Sequence, residues 1–100
     1  MLCEQAGQAV GFAQCGLRHD YVEGTHGGPV GYLEGVFVLP AHRRRGVARA
    51  LVRACCEWAR TRGCREFASD CELENADSLA FHLGVGFQEA NRVICFVRRL

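Results

Sequence analysis

A chain of 100 residues, 49% of them apolar, reads as one domain with a small but adequate core. A net charge of +1 provides no strong field to attract nucleic acid or an anionic membrane surface. No apolar run reaches membrane-spanning length and no signal peptide is visible, which argues against a membrane protein.

The seven cysteines are odd in number, with no CxxC and no paired Cys/His spacing. They read as reduced thiols of a cytoplasmic protein, and no metal is expected. In chain order, Gly7 to Leu17 mixes small and apolar residues and reads as a strand. Residues 23–31 are glycine-rich and form a loop. Residues 32–39 are aromatic and β-branched, stopped by Pro40, and predict a strand buried on both faces over Val36 to Leu39. Gly35 inside it points to a bulge or a close backbone approach. Residues 44–62 carry Val47, Leu51, Cys55 and Trp58 at helical spacing, with Gly63 as the stop. A short strand follows over 65–71. Asn75 is placed to cap a helix over 76–84, with Ala76, Leu79, Ala80 and Leu83 on one face. Val93 to Val97 reads as a last strand. Strand, helix and strand over 32–71 make a parallel crossover, so the fold class is α/β, a mixed sheet with helices on its faces.

The run 42-HRRRGVARALV-52 sets three arginines against a helix start. The first amide groups of a helix lack intrahelical partners and carry partial positive charge. Arg43, Arg44 and Arg45 oppose that dipole, unless an anion such as a polyphosphate lies between them. Gly46 then lets the backbone approach the ligand and Ala48 keeps the next turn slim. An arginine run also serves as ordinary solvated surface. Charge and spacing alone do not separate coenzyme phosphate from nucleic-acid phosphate.

The pattern Val38-Leu39-Pro40-x-x-Arg43-x-x-Gly46-Val47-Ala48 resembles the acetyl-CoA motif of the GCN5-related N-acetyltransferases. The run 75-NADSLAFHLGVGF-87 looks like that family's second signature. The pieces 18-RHDYVEG-24, 33-LEGVFVLPAHRRRGVA-48, 63-GCREFASD-70 and 92-RVI-94 are similar to the aminoglycoside 6'-N-acetyltransferases. The resemblance implies a GNAT-like sheet and acetyl-CoA as co-substrate. It implies that Arg43, Arg44, Arg45, Gly46, Val47 and Ala48 wrap the pyrophosphate. It also implies that Val36, Phe37, Val38 and Asn75 border the rest of the coenzyme. The expected acceptor is a small-molecule amine, the 6'-amine of an aminoglycoside, and the outcome antibiotic resistance.

A polycationic acceptor needs carboxylates. Residues 70–77 hold four acids, and Glu34 lies in the central strand. A helix N-terminus enriched in acids for its dipole accounts for Glu74 and Asp77 but poorly for Asp70 and Glu34. An unpaired carboxylate in an apolar strand is costly. The resemblance implies Glu34 and Asp70 as acceptor-binding positions; Glu72 of the acidic run and Tyr21, a polar aromatic residue that equally fits loop packing, are further candidate substrate contacts. Acyl transfer needs a proton acceptor for the amine, for which Glu34 or Asp70 is the candidate. It also needs an oxyanion donor, expected from a backbone amide of residues 34–38. His82 holds the position where many relatives carry a tyrosine, and is a candidate to protonate the departing thiolate or merely to border the coenzyme; a lone helix histidine is more often structural.

Set against the resembled family, the chain starts at about the second strand, without the strand and two helices that usually come first. Met1 to Gln5 is their expected remnant. Apolar sheet surface bared in this way is expected to find a second copy of the chain, with residues 92–97 exchanged or edge-paired in a homodimer. The alternative function is an acetyl-CoA-binding domain with another amine acceptor or no turnover.

Overall fold

The structure is a computed structural model describing residues 1–100. Leu2–Gln5 (β1) and Gln8–Arg18 (β2) form a hairpin closed at Ala6 and Gly7, whose φ angles are 49° and 76°. Two positive φ values suit the right-handed twist of a hairpin. An alanine in the first of these places hides the turn, so the sequence reading, which began a strand at Gly7, gave no element to residues 2–5.

β2 pairs antiparallel with Val30–Val38 (β3), and β3 pairs parallel with Phe67–Ala68 (β4). The sheet order is β1-β2-β3-β4. Between β3 and β4 run a short turn of 3-10 helix at Pro40–His42 and the long helix Val47–Thr61 (α1). The chain thus contains the expected parallel crossover within a mixed sheet. Asn75 caps the helix Ala76–Gly84 (α2), its Oδ1 accepting from the Ser78 amide at 3.0 Å.

The core lies between the sheet and α1. Val10, Ala13, Leu33 and Val38 meet Val47, Leu51, Val52 and Cys55. Phe81, Val85 and Phe87, in and after α2, close its margin. Gly31 permits this closeness: a Cβ there would lie 2.7 Å from that of Ala59 and 2.5 Å from the Phe67 ring.

Several expectations fail for identifiable reasons. α1 starts at Val47 rather than at 44, because Arg44 and Gly46 take φ of 62° and 80°, outside the helical region. Its buried stripe includes Val52, while Trp58 is only half-buried. The double-sided burial in β3 falls on residues 30–33; Phe37 is 43% exposed. In α2 no residue is buried, and Phe81 rather than Ala76, Ala80 or Leu83 faces the core. β4 has two residues instead of seven. No strand forms over Val93 to Val97: every residue from 88 to 100 is exposed and irregular. Its apolar residues fit a strand, but a strand needs a paired neighbour and this chain does not supply one.

Candidate functional site

The α1 start has the features of an anion seat. Gly46 is the N-cap, in the left-handed region, with no side-chain cap. Its carbonyl receives the Ala50 amide at 3.0 Å, so the amides of Val47, Ala48 and Arg49 precede the first intrahelical bond. Arg44 and Arg45 are exposed beside them. Arg43 is turned back: its Nε donates to the Val38 carbonyl at 3.0 Å, and its guanidinium lies 5.9 Å from the Phe37 ring centre. Arg49 ties this end to α2 by donating to the Gly84 carbonyl at 2.6 Å.

Next to this helix start the sheet divides. β3 and β4 pair only at Gly31 with Phe67 and Tyr32 with Ala68. Past them the Ser69 hydroxyl reaches the Leu33 carbonyl at 3.3 Å, and residues 34–38 have no strand on that side. The bulge expected near Gly35 is present. Gln14 pairs with Gly35 and Cys15 with Leu33, leaving Glu34 as the extra residue. A bulged residue re-aims its side chain. Glu34 therefore escapes the apolar packing of its strand and projects into a cleft of about 240 Å³, lined also by Arg18, Tyr32, Ser69, Asp70 and His82.

Two linked sets of polar contacts fill this cleft. Arg18 Nη2 donates to both Glu34 carboxylate oxygens, at 3.0 and 3.2 Å, and its guanidinium carbon lies 3.5 Å from the Tyr32 ring centre. Tyr32 Oη donates to the Asp70 carboxylate. Burial, and then that carboxylate, push the Tyr32 phenol up to about 12. Glu34, followed by Tyr32 and Asp70, raises the Arg18 guanidinium further above its usual value.

The second set holds His82. Its Nδ1 lies 2.7 Å from the Ser78 carbonyl, which can only accept, so Nδ1 carries the proton. Nε2 lies 2.8 Å from the Ser69 hydroxyl and accepts from it in the neutral ring.

The structure brings Glu34, Asp70 and His82 to one cleft, which Val36 also lines, while Phe37 and Val38 continue the unpaired edge of β3 beyond it. Asn75 is engaged as a helix cap. Tyr21 is 72% exposed on the loop after β2, its hydroxyl 3.3 Å from Glu23, and Glu72 is exposed beyond Asp70. The sequence reading missed Arg18 and Ser69. Ser69 adjoins Asp70, a weak signal. Arg18 lies opposite Val30 in the register and reaches Glu34 diagonally, a relation visible only once the bulge is placed.

An uncapped helix start, a parted pair of parallel strands and an acidic cleft thus lie on one side of a mixed α/β sheet. The chain belongs to the acetyltransferase (GNAT) family, whose sequence profile matches residues 1–87. It is 50% identical over 93 residues to an aminoglycoside N(6')-acetyltransferase type 1 of Salmonella typhimurium, covering 93% of this chain and 64% of the relative. A namesake from Stenotrophomonas maltophilia is 48% identical, with 96% and 63% covered. The chain thus spans under two thirds of the length of these curated relatives. Among solved structures, the apo aminoglycoside 6'-N-acetyltransferase of Acinetobacter haemolyticus superposes with a TM-score of 0.93 at 45% identity, covering 99% of this chain and 68% of that one. AAC(6')-Iy, in complex with a bisubstrate analogue joining CoA to acetylneamine, does so at 0.92 and 46%, covering 99% and 67%.

Proposed function

We propose that this chain carries the acetyl-CoA half and the central acceptor groups of an aminoglycoside 6'-N-acetyltransferase, conferring antibiotic resistance in the cytoplasm. The observation that carries the reading is the juxtaposition of an uncapped α1 start with a cleft holding Glu34 and Asp70. Relatives at 42–50% identity named for this activity support it. Seven free thiols support the reducing compartment.

Acetyl-CoA, when bound, supplies the thioester carbonyl that the acceptor amine attacks. The amides of Val47 and Ala48, with Gly46, Arg44 and Arg45, hold its pyrophosphate, and Arg43 braces the loop and joins them. The edge Val36–Val38 offers main-chain groups to its arm, and Asn75 borders it from α2. A free amide in residues 34–38 serves the carbonyl oxygen as negative charge develops. Glu34 or Asp70, directly or through water, takes the proton from the amine. His82, hydrogen-bonded to Ser69, is the group placed to return a proton to the departing thiolate. Tyr21 and Glu72 hold other parts of a cationic acceptor. The active species is a homodimer, supported by the exposed apolar residues Val93, Ile94, Phe96 and Val97.

The test follows free thiol released from acetyl-CoA in the presence of aminoglycosides with and without a 6'-amine. Release is expected only with the 6'-amine, and Glu34→Gln and Asp70→Asn should each lower kcat/KM by about 100-fold. Unchanged rates across pH in both variants would remove these residues from the chemistry. Coenzyme binding by calorimetry without thiol release from any acceptor would favour a binding domain.

A further inference from the structure

Arg18 is the one charged side chain in the cleft that the reaction above does not use. It stands at the end of β2 and reaches along β3 to grip both oxygens of Glu34, at 3.0 and 3.2 Å. Its guanidinium covers the Tyr32 ring at 3.5 Å, and Tyr32 in turn holds Asp70. A carboxylate, an aromatic face and a second carboxylate behind it form a seat for a cation. These are also the groups that a protonated or hydrogen-bonding amine would meet on entering.

Resting on the acceptor reading above, we propose that Arg18 is an internal occupant of the acceptor's amine seat, and that it must leave Glu34 and Tyr32 before an acceptor amine can settle there. Arg18 and Glu34 are 45% and 42% exposed, so the pair borders water and opens without unfolding the strand. An amine with one positive charge merely exchanges with the guanidinium. An acceptor with further ammonium groups also meets Asp70 and Glu72, which gives it the larger gain. Arg18 thereby sets the affinity for acceptors and tilts it toward polycations.

The test compares wild type, Arg18→Gln and Arg18→Lys with neamine, in steady-state acetylation and in calorimetric titration of the protein. Removing the competitor should lower KM and Kd by about 3- to 30-fold, the combined loss of an exposed ion pair and a cation–π contact, with kcat unchanged. Lysine, which keeps the charge, should restore most of the wild-type value. Salt should raise the variant's Kd more steeply than the wild type's, because in wild type the internal and the incoming pair are screened together. Unchanged Kd with a lower melting temperature would reduce Arg18 to a cross-strand tie between β2 and β3. A higher Kd in Arg18→Gln would show that Arg18 holds Glu34 for the acceptor, and would overturn the proposal. If wild type binds neamine without releasing thiol, the transferase reading fails while the titration still decides the role of Arg18. If neither protein binds neamine, both fail.

Discussion

Tyr32 joins the two carboxylates of the cleft, through Arg18 on its face and Asp70 at its hydroxyl. Burial favours the neutral phenol, so folding keeps its proton up to about pH 12, against an ordinary value near 10. That contribution is present in full below pH 10 and is lost as pH rises through 12. Urea unfolding of wild type should therefore show stability declining between those limits. Tyr32→Phe should begin lower, having lost the bond to Asp70, and decline less over the same interval; parallel curves would contradict the assignment. Glu34 shows how local geometry solves a problem that composition poses. A carboxylate in an apolar strand is unfavourable, but one extra residue in β3 turns it out to Arg18. Gly35 made the bulge legible in the sequence. Which residue would be extruded, and that Arg18 would meet it, depended on pairing with β2, which periodicity does not encode.

At the scale of elements, α1 positions the site by its N-cap. Gly46 adopts φ of 80° and a Cβ there would meet nothing within 4 Å. The penalty of Gly46→Ala is therefore one of backbone alone, about 1 kcal/mol. Partial rotation out of the left-handed region would also misdirect the amides of Val47 and Ala48. Calorimetry should show weaker coenzyme binding, with a melting temperature lowered by only a few degrees; unaltered binding would detach the helix start from the coenzyme. The helices were the most legible elements, α2 down to its cap and last residue, because Asn75 and the glycines after it are strong local signals. The stripe of α1 was nearly right, Val52 replacing Trp58. The hairpin turn at Ala6, the two-residue length of β4 and the absence of a strand over 93–97 were not legible. Each depends on which neighbour a strand finds, a property of the assembled sheet.

Taken whole, the molecule keeps much apolar surface in water. Leu2, Phe12 and Phe37 on the sheet and Val93, Ile94, Phe96 and Val97 in the last residues are all more than 40% exposed. Exposed apolar residues of this kind pair readily with a second copy. Light scattering coupled to size exclusion should give twice the 11.0 kDa of one chain. Substituting Ile94 and Phe96 by serine should shift the mass toward one chain, and a wild-type monomer would end the dimer reading. The parting of β3 from β4 leaves a row of main-chain donors and acceptors along Glu34–Val38 beside a two-residue strand. Such a row is a template for stray β-strands as much as for a ligand rich in amide groups. Whatever fills that gap with matching amides also shields the protein from sticking to itself, so resistance to aggregation is tied to how well the gap is occupied.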